Sequence, residues 1–427
     1  MTEPAADQIM PRVRPRRFGR ARGSGTATRE PLPRAVWTRL IACTAAAALL
    51  QLDGTVITVA LPSVARNLHV TNAATSLVLV AYFGAYALLL FPGGRLVDRL
   101  GARSVALVGL TVFGVGAALG AVVSSIPLLC ATRVIQGIGA GLVSPAALAG
   151  AVSGFPPDRR GMALGIWGAS AGLSNLVGPL LGGVLTVLFG WRAAWWALVP
   201  LALASAVAIE RNVPTIVHES VEDDSGTVLN STVLNGTVVA ASGVAALTFA
   251  VMIGAFYLAS QYLQKTAGYS ALGASAILVV VAFLVGAAAP LAGRLVDRHG
   301  ARMPTVMGFI AMTVGMSVLA IPGVKLDGLV TLGPLVPVGL GLGMLFVPVS
   351  RAALNSVPDV MHGRASAVLS AARLVGAGLG AGLAGLALVG GASAPTVRTA
   401  LLIGAATCLF VGLPLSMRFR SEEPVAV

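Results

Sequence analysis

Asp53 is the one acidic residue that falls well inside an apolar run of this sequence. An ionised carboxylate in that setting costs at least about 2.5–3.5 kcal/mol, so a partner or a task is expected for it. Arg133 lies in another apolar run. Counting 1.5 Å per residue from the ends of their runs puts both residues roughly 10–12 Å below the same face. An acid and a base that meet there can be a static ion pair that binds two helices. They can also be a proton site. Ionised, the acid is held by the arginine; protonated, it releases it. Arg373 is a further cation inside an apolar run, suited to an anionic group or to backbone carbonyls.

Other constellations read as packing. Gly168-Ala-Ser170-Ala-Gly172 has the form of a hydrolase elbow but lies inside an apolar run, not at a strand–helix turn. Gly137-Ile-Gly139-Ala-Gly141 and Gly376-Ala-Gly378-Leu-Gly380 lack the setting of a dinucleotide fingerprint. They read as faces where helices approach closely. His69, His218, His299 and His362 sit in loops or at span ends, and Cys43, Cys130 and Cys408 show no disulfide or metal spacing. No enzyme constellation emerges, and neither a metal nor a cofactor is expected.

The elements that position these residues follow from composition. Of 427 residues, 56% are hydrophobic and only 11% charged. Soluble chains carry about 25% charged residues. With a mean hydropathy of +0.88, an all-α integral membrane protein is expected. Twelve runs can each cross a hydrocarbon core about 30 Å thick. They cover 37–61, 73–92, 105–124, 126–152, 161–189, 193–209, 238–263, 271–290, 303–321, 329–349, 365–389 and 399–417. The expected organisation is a disordered basic tail (1–36), a six-helix half (37–209), a polar linker (210–237), a second six-helix half (238–417) and a short tail (418–427). The net charge of +13 does not point to nucleic acid, because the arginines gather in the tail and at one set of span ends. Arg66, Arg192, Lys265, Lys325 and Arg398 alone fall on the other side, so both termini are expected in the cytoplasm. The excess of Arg over Lys, with much Ala and Gly, fits a bacterial genome rich in GC.

One decapeptide occurs twice: Gly94-Arg-Leu-Val-Asp98-Arg99-Leu-Gly101-Ala-Arg103 and Gly293-Arg-Leu-Val-Asp297-Arg298-His-Gly300-Ala-Arg302. Basic loops that merely set orientation would need the arginines but not the matched Gly and Asp. The repeat implies two related halves.

These motifs together resemble the major facilitator superfamily, and within it the drug:proton antiporters. Leu52-Asp53-Gly-Thr55-Val-Ile-Thr-Val-Ala-Leu61-Pro62 is similar to the first-span motif of the exporter branch that usually has fourteen spans. Arg133-Val-Ile-Gln136-Gly137-Ile-Gly139 resembles the fourth-span motif, and the decapeptides resemble the loop motif of each half. Gly168, Gly172, Gly178-Pro179 and Gly182-Gly183 resemble the fifth-span antiporter motif. The chain departs from that branch in two places. Its linker is too short for two extra spans, and Leu198 stands where an Asn is usual.

The resemblance implies twelve transmembrane helices in two pseudo-symmetric six-helix bundles that rock about a midplane cavity. It implies export of a small amphipathic organic substrate, such as a drug or an antibiotic, in exchange for protons. No cofactor is needed beyond the proton gradient, and a monomer in the bacterial cytoplasmic membrane is expected. Asp53 and Arg133 would couple to protons. Asp98 would face the start of the eleventh span near Arg364, and Asp297 the start of the fifth near Arg159 and Arg160, so latching an outward-open state. Gln51, Trp167, Asn175, Trp195, Phe256, Tyr257, Gln261 and Arg373 are the cavity candidates. A proton-coupled uptake symporter and a non-transporting membrane sensor remain as alternatives.

Overall fold

The computed structural model describes residues 32–156, 159–215, 234–322, 332–358 and 361–419. The expectations for the tail up to residue 31, for 216–233 of the linker and for 420–427 fall outside the described residues. From Arg34 onward the chain forms one compact unit.

The first half comprises α1 (Arg34–Asn67), α2 (Asn72–Leu100), α3 (Ala102–Val122), α4 (Ile126–Val152), α5 (Arg160–Phe189) and α6 (Arg192–Asn212). The second comprises α7 (Gly236–Lys265), α8 (Ala271–His299), α9 (Arg302–Ala320), α10 (Leu332–Asn355), α11 (His362–Ala387) and α12 (Ala394–Thr407). The last helix continues through a π turn, Cys408–Gly412, into Leu413–Met417. Eleven of these are long and apolar enough to cross a membrane among the described residues, and α5 adds the apolar stretch Leu173–Phe189. Leu88, Phe189, Phe283, Leu383 and Phe410 are exposed on the outer surface, as residues facing hydrocarbon should be.

The helices outrun the apolar stretches that announce them. Hydropathy marks where lipid contact ends, but backbone hydrogen bonding continues into the polar margin. Most of each decapeptide is therefore helical, α2 running to Leu100 and α8 to His299. Both helices stop at a glycine with positive φ, +80° at Gly101 and +72° at Gly300. A side chain is strained in that conformation, which explains the matched glycine. At the opposite end, side chains cap the starts of α2, α8 and α12: Thr71, Ser270 and Ser393 each accept a backbone N–H of the first turn.

Small residues set the packing. Gly137 and Gly141 of α4 lie against α2, at Tyr82 and Leu89, while Gly139 lies against Gly109 and Phe113 of α3. The repeat in α11 works alike: Gly376 and Gly380 meet the Ala246 and Ala250 carbonyls of α7, and Gly378 meets Phe83 of α2. Alternate glycines thus serve two neighbours, and no dinucleotide loop is involved. The halves meet along α2–α11, α5–α8 and α1–α7.

Candidate functional site

Asp53 on α1 and Arg133 on α4 meet, and both side chains are wholly buried. Arg133 Nη1 donates to both carboxylate oxygens of Asp53, at 2.7 and 2.8 Å, and to Gln136 Oε1 at 3.0 Å. Its Nε donates to the Val78 carbonyl of α2 at 3.4 Å. The guanidinium also lies 4.1 Å from the centre of the Tyr82 ring, whose hydroxyl donates to Leu50 O at 3.0 Å. Three helices therefore hold one ion pair, and charge, quadrupole and carbonyl dipole all favour the cation where it sits. Two donors beside the pair, Arg133 Nη2 and Gln136 Nε2, are buried with no acceptor among the described residues.

The fifth-span glycines link this pair to the contact between halves. A side-chain carbon at Gly178 would lie 2.8 Å from Thr55 Cβ, and one at Gly182 would lie 2.5 Å from Val56 O. Both neighbours follow Asp53 by one turn or less on α1. Gly183 turns the other way, toward Ser275 and the Ala271 carbonyl of α8 in the second half. Pro179, between them, is buried. Gly168 and Gly172 lie on α5, and their surroundings fall outside the described residues.

The decapeptides mark the basic end of the molecule, and the halves touch at its far end. Along α2–α11 the contacts run from Ser76 with Gly385, through Val80 with Gly382, to Phe83 with Gly378. Helix α7 supplies a polar seam there. Ser260 Oγ donates to Thr58 O at 3.2 Å, and Gln264 Nε2 to Val59 O at 3.0 Å. Pro62 has no N–H to offer Thr58 O, so Ser260 replaces the missing helical donor from across the interface. Tyr257 shares a 2.8 Å hydrogen bond with Thr75, Gln261 donates to the same hydroxyl, and Lys265 bonds Asn72.

At the basic end each decapeptide side chain that has a described partner finds it within its own half. Arg103 reaches Thr215 at 3.2 Å and Glu210 at 3.7 Å, and Asp297 pairs with Arg351 of α10. Asp98 is exposed with no ion pair among the described residues, as are the side chains of Arg99, Arg298 and Arg302. Added side-chain atoms at Gly94 or Gly293 would meet nothing within 4 Å. Among the described residues Asp297 pairs with Arg351 of its own half, and the side chain of Arg160 at the start of α5 falls outside them.

The cavity candidates are scattered. Tyr257 and Gln261 belong to the seam, and Phe256 is buried beside it on α7. Trp195 is fully buried in the first half, edge-on to Trp191 and pressed onto Gly120 of α3. Arg373 donates to Ser350 of α10 at 2.7 Å, with its guanidinium 5.8 Å from the Phe249 ring centre. Gln51, Trp167 and Asn175 are half-buried on α1 and α5. Sequence reasoning missed Tyr82, Thr75, Ser260 and Gln264, and gave Gln136 only as part of the fourth-span motif. The signal for the α7 seam was there: polar residues at 257, 260, 261 and 264 share one helical face.

Two six-helix halves joined at one end, with an ion pair sealed inside one of them, define a polytopic helical membrane architecture. The chain belongs to the Major Facilitator Superfamily, whose model matches residues 43–381. It is similar to the tetracenomycin C resistance and export protein of Streptomyces glaucescens, 35% identical over 40% of this chain and 32% of that protein. It is similar to the puromycin resistance protein of Streptomyces alboniger, 39% identical over 42% of this chain and 35% of that one. The matched segments thus span about a third of those relatives. Multidrug resistance protein Stp of Mycobacterium tuberculosis is 27% identical over 81% of this chain and 74% of its own length. Among solved structures, a bacterial homolog of the human lysosomal transporter Spinster superposes with a TM-score of 0.70 at 17% identity, covering 90% of this chain and 96% of that one.

Proposed function

We propose that this protein exports small amphipathic organic compounds in exchange for protons, across a bacterial cytoplasmic membrane, as a monomer with both termini in the cytoplasm. The observation that carries the reading is the wholly buried Asp53–Arg133 pair, with the Gly178 and Gly182 face of α5 pressed onto the same turn of α1. The names of the relatives support an exported drug or antibiotic.

In this reading the far end faces outward and is closed, so the conformation described is open toward the cytoplasm. Asp53 meets a proton only when the halves part enough to open a path to it; protonation then dissolves the ion pair and frees Arg133, whose other anchors are Gln136, the Val78 carbonyl and the Tyr82 ring. Helix α1 then shifts against α4. Because α5 touches α1 on one side and α8 on the other, that shift reaches the interface between the halves. The close α1–α5 packing also shuts the path that protons would take without substrate. One proton moving inward down 100 mV supplies about 2.3 kcal/mol. In the alternate conformation Asp98 and Asp297 reach the starts of α11 and α5, and the open space beside Gly94 and Gly293 lets the helices close.

The test is uptake of amphipathic dyes by everted membrane vesicles, with and without an imposed proton gradient. Gradient-driven accumulation by the wild type that is lost in Asp53→Asn is the expected result. Accumulation that survives Asp53→Asn removes Asp53 as the proton site. Dyes that are driven out of the vesicles instead would reverse the direction.

A further inference from the structure

The second half contains a cavity of about 490 Å³ that the transport cycle does not use. It lies between α7, α8, α9, α10, α11 and α12, away from the Asp53 pair. Its walls are Leu, Val, Ile, Ala and Met side chains with Phe256, the one cavity candidate of the sequence that reaches it, and among the lining residues only Tyr262 and Thr407 bring hydroxyls.

The cavity has a cause in the sequence. In the first half α6 packs along α1, whereas its counterpart α12 touches α7 little over Ala394–Thr407 and meets it again beyond the π turn, where Leu415 lies against Gly243. Counted from the first residue of each helix, positions four, seven and eleven are Trp195, Leu198 and Ala202 in α6. In α12 they are Val397, Ala400 and Gly404. The α6 residues are all buried, and each α12 residue is smaller than its counterpart and lines the cavity. The first half is filled at these positions and the second half is hollow.

A void of this size is foreign to a close-packed interior. Water is a poor occupant, since engineered apolar cavities of about 150 Å³ stay dry and take up benzene instead. Helices α11 and α12 barely touch, which leaves the cavity a way out to the lipid side between them. Leu383 of α11 and Ile403 of α12 line it, yet are 64% and 62% exposed on the molecular surface. Its lining on α12 runs from Val397 to Thr407, roughly 15 Å at 1.5 Å per residue. That is the depth of one leaflet in a hydrocarbon core about 30 Å thick, and on α7 the lining continues inward from Leu263 to Leu247, roughly 24 Å. The lining residues of α9 and α10, Leu319 and Leu335, sit at the far end of those helices, so the leaflet is the far-end one.

We propose that this cavity holds one acyl chain of a phospholipid from the far-end leaflet, entering between α11 and α12. The chain completes the packing of α12 that side chains complete for α6. The site is separate from the transported substrate and does not depend on the direction of transport.

The full chain is reconstituted into phosphatidylethanolamine–phosphatidylglycerol vesicles in which a fraction of the phospholipid carries a mid-chain diazirine. After illumination, adducts are mapped by mass spectrometry. Adducts are expected on inward-facing Leu258, Val338 and Val397. They should fall by about tenfold in Val397→Trp/Ala400→Leu, which restores the α6 side chains, while outward Leu402 is labelled equally in both. Adducts confined to outward residues, or inward adducts unchanged by the filling pair, overturn the proposal. So does labelling of the inward residues by a photoactivatable amphipathic dye but not by the phospholipid, which would assign the cavity to transported compounds. Should the filled variant fail to fold, native mass spectrometry of the wild type decides. One retained phospholipid supports the site, and lipid-free protein sinks it.

Discussion

A carboxylate with both oxygens on one guanidinium nitrogen, where water does not reach, is secure only while the arginine stays. Removing the cation alone strands a buried charge, at a cost of about 3–5 kcal/mol. Arg133→Ala should therefore lower the thermal midpoint of the purified protein markedly. Asp53→Asn/Arg133→Gln should recover most of that loss, yet stay inactive in gradient-driven dye uptake. A double variant no more stable than Arg133→Ala would show that the arginine acts through Tyr82 and Val78 rather than through the acid. The pair was legible in the sequence because a charge inside an apolar run is costly enough to need a reason. Its neighbours were not. Gln136, Tyr82 and the Val78 carbonyl contribute through hydrogen bonds and a ring face, and such groups are common in membrane helices without any role.

Between elements, the decisive contacts are backbone against backbone. At Gly182 even one methyl would press on the Val56 carbonyl. Overpacking of that kind costs about 1–3 kcal/mol, and here it separates α1 from α5. Gly182→Ala and Gly178→Leu are expected to reach the membrane in normal amounts but to lose most gradient-driven export, read by immunoblot and dye accumulation together. Full export in Gly178→Leu would remove α5 from the coupling path. Hydropathy located all twelve helices, because crossing a membrane demands long apolar stretches. It misjudged their ends, since α2 and α8 carry the basic decapeptides on as helix until Gly101 and Gly300. It also cannot tell which face of a helix is buried. Trp195 read as a cavity residue, and the structure instead packs it against Gly120.

At the scale of the whole molecule, the proposed cycle is a balance between the far-end seam and the latches proposed for the basic end. Each seam hydrogen bond contributes about 0.5–1.5 kcal/mol. Ser260→Ala/Gln264→Ala removes two of them, and a loss of 1–3 kcal/mol corresponds to roughly a 5- to 150-fold shift toward the alternate state. Distances between spin labels across the far end should lengthen accordingly. Asp98→Asn should act in the opposite sense. Asp98 has no ion pair among the described residues, so this conformation loses nothing and the alternate one loses its latch. An unchanged distance distribution in Asp98→Asn would remove that latch. The burial of Asp53 carries one more consequence. A carboxyl sealed from both aqueous phases is deaf to the pH of either while the halves hold this arrangement. Whatever protonation state it took when last open is kept as a record. A compound that jams the molecule in this arrangement would therefore freeze that record, and a pH jump applied afterwards would go unanswered until the compound left.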